Sequence, residues 1–177
     1  MNRIATISAA IAAVCVGSAT LFANVNGAIF TTVAAGTAVN ANIYEAKQDV
    51  YLNGGPQNDH GSLLSPDGLY YFQVTDPSGA VLLSTDPVAC RVLVVTNGRV
   101  VNTQAADGCT PHALGTFDPA NGTTPVQLMP FDDTPNNGGE YKAWITPVAA
   151  LSVRSASAPT LASRWRAAEA LPRMTAS

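Results

Sequence analysis

The chain has 177 residues, with twelve acidic and nine basic side chains and a formal net charge of −3, and its length predicts one domain. Most of the negative charge lies in residues 28–151, where eleven acidic and four basic residues give a net charge of −7. An acidic surface of this kind argues against binding to nucleic acid or to anionic membranes. Only the N-terminal segment has a long apolar run, so we expect no membrane span in the mature chain.

Residues 1–27 have the layout of a secretory signal peptide. Arg3 precedes an apolar run rich in Ala, Val and Ile, and small residues follow it. Cleavage after Ala23 or after Gly27 fits this layout approximately. The alternative is a membrane span, since residues 4–23 are about long enough to cross a bilayer. The signal peptide predicts a secreted protein, located outside the cell or in the cell envelope.

Residues 28–151 predict an all-β domain. About nine short segments rich in β-branched and aromatic residues are separated by Gly, Pro, Asn and Asp, without a helical period. This pattern favours an antiparallel sandwich or barrel. The strands are expected at 28–33, 37–44, 49–52, 70–75, 81–83, 91–96, 99–103, 125–131 and 140–148. The expected core consists of Ile29, Val33, Ile43, Tyr70, Phe72, Val74, Leu83, Val94, Val126, Leu128 and Ile145.

Two turns are predicted with a physical reason for each. Residues 76–79, Asp-Pro-Ser-Gly, fit a type I turn, because proline already has the φ angle of the second position. Asn97-Gly98 lies between two apolar runs and predicts a tight hairpin, in which both turn residues take a positive φ. Residues 53–68 and 108–124 are expected to form long surface loops.

The end of the chain differs in composition from the domain before it. Residues 152–177 contain four of the nine basic residues, and no convincing helix caps flank their helix-forming stretch. We therefore expect a mobile or weakly helical tail.

Two cysteines, Cys90 and Cys109, remain after removal of the signal peptide. In an oxidising compartment such a pair predicts one disulfide. It would close a loop of about twenty residues and contribute about 3 kcal/mol by loop entropy. The alternative is a metal site made of both cysteines and His112, although the Cys-x-x-Cys spacing is absent.

The segment DGLYYFQVTDPSG, residues 67–79, carries a family resemblance. It resembles the Gly-x-Tyr-x-Phe-x-Val-Thr-x-Pro-x-Gly signature of prealbumin-like, immunoglobulin-like modules, the B-type repeats of bacterial surface adhesins and related carboxypeptidase-regulatory-like domains. The resemblance implies an antiparallel immunoglobulin-like (prealbumin-like) β-sandwich at the cell surface, used as spacer, stalk or adhesive module. It implies no catalysis.

Oxygen-bearing side chains crowd the loop between the last two predicted strands. Close carboxylate and amide oxygens can bind Ca²⁺, and extracellular modules often bind it weakly. The spacing does not fit an EF-hand loop, and the same residues are typical of a turn that bonds its own backbone. The candidate calcium ligands are Asp132, Asp133, Asn137 and Glu140, together with Asn136.

Two further kinds of site can be assembled from the residues. His60 and His112, with Ser and Asp residues, could form a hydrolase, but no Gly-x-Ser-x-Gly elbow is present and both histidines are expected to be solvated in loops. Tyr71 and Trp144 are expected on the face of the sheet away from the core, where sugar rings could stack on them.

The sequence thus predicts a secreted, non-enzymatic structural or adhesive module, whose partner would be a protein or glycan of the cell surface. A carbohydrate-binding module is the first alternative, and a small secreted hydrolase is the second.

Overall fold

A computed structural model describes residues 25–41, 43–57 and 61–150, and within them two antiparallel sheets pack face to face. The predicted all-β sandwich is confirmed. One sheet has three strands in the order β1-β2-β6, and the other has four in the order β5-β4-β3-β7. The strands are β1 (Ile29–Thr32), β2 (Tyr51–Gly54), β3 (Gly68–Thr75), β4 (Val92–Thr96), β5 (Arg99–Thr103), β6 (Val126–Gln127) and β7 (Lys142–Pro147). The N-terminal apolar run, His60 and residues 152–177 lie outside the described residues.

The core lies between the sheets and follows from the period-two alternation of the strands. In β3, Tyr70, Phe72 and Val74 are 1%, 0% and 1% exposed. Leu52 of β2 and Val126 of β6 meet them from the opposite sheet, within one contiguous cluster of buried side chains. The predicted core residues Ile29, Leu83, Leu128 and Ile145 belong to the same cluster.

Both predicted turns are confirmed. Asn97 and Gly98 have φ angles of 51° and 70°, and the Asp67 carboxylate accepts hydrogen bonds from both of their backbone N–H groups at 2.7 Å. In the other turn, the Gly79 N–H donates to the Asp76 carbonyl at 3.0 Å. The two turns therefore hold the segments that follow β3 and β4 in register.

The predicted strand at 37–44 is wrong. Its contact with β1 is limited to an isolated bridge between Val39 and Thr32 and a hydrogen bond from the Asn40 N–H to the Thr31 carbonyl at 2.8 Å. Asn40 has a φ of 51°, a left-handed conformation that an extended strand cannot contain. The chain turns away at this point, and Ile43, expected in the core, is 88% exposed.

Other strand predictions needed smaller corrections. A 3₁₀ turn occupies Lys47–Asp49 and delays β2 until Tyr51. The segment 81–83 returns along the end of β3 without forming a full strand: it makes an isolated bridge between Leu82 and Thr75, and the Leu83 N–H donates to the Val74 carbonyl at 2.9 Å.

Two predicted core positions are only half-buried. In β4, Leu93 lies opposite the buried Tyr70 of β3, so Leu93 and Val95 face the core in place of Val94. The predicted face of β4 is off by one residue, and such a slip inverts every side chain of a strand. Val33 follows the last residue of β1 and is also half-buried.

A third layer covers the outer face of the three-stranded sheet. Phe30, Thr32 and Asn53 alternate with the core-facing residues of β1 and β2 and are nonetheless at most 2% exposed. The loop at 108–124 lies against this side of the sheet: Asn53 donates to the Thr123 hydroxyl at 3.0 Å, and the loop pairs with β6 through an isolated Leu114–Val126 bridge. A segment predicted as a surface loop therefore completes the burial of one sheet.

None of the helical turns in the described residues has the length and apolar character needed to cross a bilayer.

The Asn97-Gly98 turn gives a test of how tightly the fold depends on it. A Cβ at Gly98 would lie 2.5 Å from the Leu63 Cβ and 3.0 Å from the Leu64 carbonyl oxygen, whereas one at Gly108, with φ +82°, would meet nothing within 4 Å. We expect Gly108→Ala to cost about 1 kcal/mol of unfolding free energy for the left-handed backbone alone. We expect Gly98→Ala to cost about 3 kcal/mol, because overpacking is added. Urea unfolding measures both, and equal losses would contradict this account.

Candidate functional site

A groove of about 780 Å³ runs beside the disulfide at one end of the sandwich. Its walls come from three segments, residues 86–90, 106–113 and 127–130. Most of the lining is apolar, but Asp86 and His112 stand in its wall next to the core. This groove combines a cavity with buried ionisable side chains, and that combination makes it the candidate functional site.

The predicted disulfide forms one side of the groove. Cys90 and Cys109 are bonded, with an S–S distance of 2.06 Å and a separation of 19 residues. The alternative metal site made of these cysteines and His112 is therefore wrong, because neither sulfur is a free thiolate. The bond fastens the loop at 106–112 to the turn that precedes β4.

Arg91 follows Cys90 and is 0% exposed. Its guanidinium group makes four hydrogen bonds. Nε donates to the Phe72 carbonyl at 3.1 Å, and Nη2 donates to the Leu128 carbonyl at 2.7 Å. Nη1 donates to the Pro130 carbonyl at 3.0 Å and to Oδ1 of Asp86 at 2.6 Å. The Phe72 ring also lies 4.5 Å from the guanidinium carbon.

The partners of Arg91 belong to both layers of the fold. Phe72 is in the middle of β3, whereas Leu128 and Pro130 follow β6 of the other sheet. The carbonyls of Leu128 and Pro130 bind this cation, and the chain is no longer a strand at these residues. The strand predicted at 125–131 is therefore short, and β6 ends at Gln127. A single buried cation thus joins the two sheets.

Asp86 links Arg91 to His112. Its Oδ2 lies 3.0 Å from the His112 Nε2, and the other ring nitrogen, Nδ1, lies 2.9 Å from the Gln127 carbonyl. His112 is 6% exposed and packs edge-on against Phe72, with ring centroids 4.8 Å apart. The expectation that His112 is a solvated loop residue is therefore wrong: its loop folds inward, and the ring is part of the sandwich end.

Burial and the nearby Arg91 charge lower the pKa of His112, against the opposing effects of Asp86 and the Gln127 carbonyl. Burial also lowers the pKa of Arg91, and Asp86 opposes that shift. Four oxygen acceptors around the guanidinium nonetheless require its protonated form. The network therefore holds a permanent cation, a carboxylate and an imidazole whose pKa is lowered. A neutral imidazole carries one N–H, so in that state only one of its two contacts, to Asp86 or to the Gln127 carbonyl, is a hydrogen bond.

The arrangement leaves little capacity for catalysis. Both oxygens of Asp86 and both ring nitrogens of His112 already face partners inside the protein. A general base needs a ring nitrogen within reach of the substrate proton, and His112 would have to break one of these contacts to provide it. The network fits a structural role better than a proton-transfer role.

The candidate calcium ligands do not come together. Asp133 forms an ion pair with Lys47 at 2.8 Å, and Glu140 accepts a hydrogen bond from Asn136 at 3.0 Å. Asp132 and Asn137 lie in the same loop. The described part of the chain contains no group of three or more Asp, Glu, His or Cys side chains that could hold a metal ion. The Asp133 and Glu140 carboxylates are directed to a lysine and to an amide.

Tyr71 and Trp144 do lie on the face of the four-stranded sheet away from the core. Tyr71 is opposite Thr146, and Trp144 is opposite Gln73, so the two aromatic side chains are diagonal neighbours on that face. Both are half-buried. The Trp144 Nε1 donates to the Thr75 hydroxyl at 2.7 Å, and its ring lies under the 76–79 turn, where a Cβ on Gly79 would be 3.2 Å away. Internal contacts therefore occupy much of Trp144.

Sequence reasoning missed Arg91 and Asp86 as members of the network. One signal was present: Arg91 is the only charged residue in the run Cys90–Thr96, which otherwise reads as apolar strand. A charge at that position requires either solvent or a buried set of acceptors. The acceptors are distant carbonyls, which no local pattern reveals.

The His112 network predicts a pH dependence of stability. A folded-state pKa below the unfolded value of about 6.5 means that the unfolded chain binds the proton first, so stability falls as pH drops below about 6.5. The loss can approach about 1.4 kcal/mol per pH unit until the folded pKa is reached. We expect urea unfolding between pH 7.5 and 5.0 to show this slope in the wild type and to lose most of it in His112→Gln. An equal slope in both proteins would contradict the assignment.

Above pH 5 the predicted loss of stability comes from His112 and not from the carboxylates whose pKa values are lowered. Hydrogen bonds from Ser78, Asn121 and Lys47 lower the pKa values of Asp76, Asp118 and Asp133, respectively. Stability that depends on these carboxylates is present above their unfolded pKa and is lost only as pH falls below about 4.

Comparisons of the chain with protein-family models, with curated proteins and with solved structures gave no significant match. The resemblance of residues 67–79 to prealbumin-like modules remains a prediction from that segment, which forms β3 and the turn after it.

Proposed function

We propose that this chain is a non-catalytic structural or adhesive β-sandwich module that works outside the cytoplasm, either secreted or in the cell envelope. The observation that carries the proposal is the Asp86–Arg91–His112 network. Its hydrogen-bonding atoms are committed to partners within the fold, so the most distinctive ionisable cluster of the described residues serves to fasten loops and sheets together.

The disulfide supports a location outside the cytoplasm. Cys90 is 6% exposed and is bonded to Cys109, and disulfides of this kind persist in oxidising environments and are rare in reducing ones. The apolar run at 4–23, interpreted as a signal peptide, points to the same compartment. A surface-exposed module gains from such a bond because it must remain folded without access to cytoplasmic chaperones.

The resemblance of residues 67–79 supports a structural or adhesive role. The modules that it resembles are spacers, stalks and adhesive units of bacterial surface proteins. A sandwich whose two layers are joined internally by Arg91 and whose loop at 106–112 is held by a disulfide suits such a mechanical role. We therefore propose a protein or glycan of the cell surface as the partner, rather than a small substrate.

The carbohydrate-binding alternative depends on Tyr71 and Trp144 and has less support. The indole N–H of Trp144 is already bonded to Thr75, and Lys142 lies 5.3 Å from its ring. A sugar would have to use what remains of the half-buried Tyr71 and Trp144 surfaces.

One set of assays tests the proposal. The purified full chain is incubated with chromogenic ester, peptide and glycoside substrates and is applied to a glycan array. We expect no turnover that depends on His112, and therefore the same background rate from the wild type and from His112→Gln. A rate that His112→Gln abolishes while circular dichroism shows an intact fold would contradict the proposal in favour of the hydrolase.

The glycan array separates the remaining alternatives. Binding that Trp144→Ala removes and Phe117→Ala retains would establish the carbohydrate-binding module in place of the structural role. Phe117 is a suitable control because it is an aromatic side chain, 57% exposed, on the loop at 108–124. Absence of Trp144-dependent binding is the result that the proposal predicts.

A further inference from the structure

A second groove, of about 740 Å³, opens between the two sheets beside β7. Its floor is made of core residues from both layers. Val50 and Leu128 line it from the side of the three-stranded sheet, and Val74 and Ala143 line it from β3 and β7. Leu128, Val74 and Ala143 are 3%, 1% and 6% exposed. An apolar side chain that enters this groove would therefore extend the hydrophobic core itself.

The rim of the groove carries the most exposed large aliphatic side chain of the described residues. Ile43 is 88% exposed and lines the groove, and Tyr141, on the opposite rim, is 37% exposed. Tyr141 packs edge-on against Phe131, with ring centroids 5.2 Å apart. Tyr44 also lines the groove, and its hydroxyl is buried without a hydrogen-bond partner. A buried hydroxyl without a partner is unfavourable, and an incoming polar group could satisfy it.

The sheet edge at this groove is open. Within the described residues β7 pairs with β3 and with no strand on its other side, because it is last in the order of the four-stranded sheet. Its first residues, Lys142 and Ala143, form part of the groove wall. A strand at the edge of a sheet can pair with a strand of another chain.

The charges around the groove are balanced, unlike those of the rest of the domain. Lys47 and Lys142, two of the four basic residues in 28–151, line it together with Glu45 and Glu140. Two copies of a domain with a net charge of −7 repel each other at most orientations. At this surface Lys47 is already paired with Asp133, but Lys142 of one copy can face Glu45 or Glu140 of the other.

We propose that this surface, defined by the groove and by Ile43, binds a second copy of this chain. Ile43 of each copy enters the groove of the other, and the two copies are related by a two-fold axis. The inserting side chain and the receiving groove belong to the same patch, which is the requirement for a closed, isologous dimer. The exposed Ile43, the core-lined groove, the open β7 edge and the balanced rim charges all favour this occupant over an acidic or basic partner.

The test is sedimentation velocity of the full chain over a range of protein concentrations. We expect the wild type to dimerise and Ile43→Lys to weaken the dimer at least tenfold, since a lysine would be buried in an apolar groove without a designated partner. Val39→Lys is the matched control. It introduces the same charge at a 38% exposed aliphatic position that does not line the groove, and it should dimerise like the wild type.

Ile43 is exposed, so its replacement should leave the fold intact. Circular dichroism at a protein concentration where the wild type and the variant are both monomeric separates lost association from lost folding. A wild type that remains monomeric, or an Ile43→Lys variant that dimerises as the wild type does, would overturn the proposal. If the copies associated through residues 1–27 instead, Ile43→Lys would dimerise as the wild type does. The outcome is independent of the substrate and glycan assays, because Ile43 has no part in the network that carries the proposed function.

Discussion

The structure depends on one charged side chain placed where the two sheets meet. Arg91 is completely buried, and its guanidinium group donates to carbonyls of β3 and of the segment after β6. Taking a cation out of water is costly, and only close oxygen acceptors compensate for it. The backbone at Phe72, Leu128 and Pro130 must therefore keep its present arrangement, which fixes how the sheets approach each other and where β6 ends.

The surroundings of Arg91 explain the organisation of the disulfide end of the sandwich. Asp86 neutralises the cation and orients His112, and His112 brings its loop onto Phe72 and Gln127. The Cys90–Cys109 bond begins at the residue next to Arg91 and restrains the same loop. A covalent bond, an ion pair and a buried imidazole thus converge on one loop and restrain it.

Much of the architecture could be predicted because it follows from local sequence patterns. The alternation of Tyr70, Phe72 and Val74 gives the buried face of β3, and Asn97-Gly98 gives the hairpin. The two cysteines that follow the N-terminal apolar run give the disulfide. These features depend on backbone geometry, on side-chain period and on a count of thiols, all of which are visible without knowledge of distant contacts.

The failures have the opposite origin. The burial of Arg91 depends on carbonyls 19 to 39 residues away, and the position of Ile43 depends on a left-handed Asn40 that residue type alone does not require. The face on which Val94 lies depends on the pairing of Leu93 with Tyr70 of β3, which the alternation of β4 alone does not set. The loop at 108–124 covers a sheet face that a two-layer prediction leaves to solvent. Each error concerns a long-range contact that competes with a local preference.

The most direct test compares two conservative substitutions by urea unfolding. Arg91→Lys keeps the charge but cannot reproduce four hydrogen bonds directed to two sheets, whereas Arg99→Lys makes the same change at a half-buried arginine bonded to the Asn121 and Asn97 carbonyls. The account predicts that Arg91→Lys loses at least about 2 kcal/mol more unfolding free energy than Arg99→Lys. Losses that agree within about 0.5 kcal/mol, the usual size of a surface effect, would contradict the central role of Arg91.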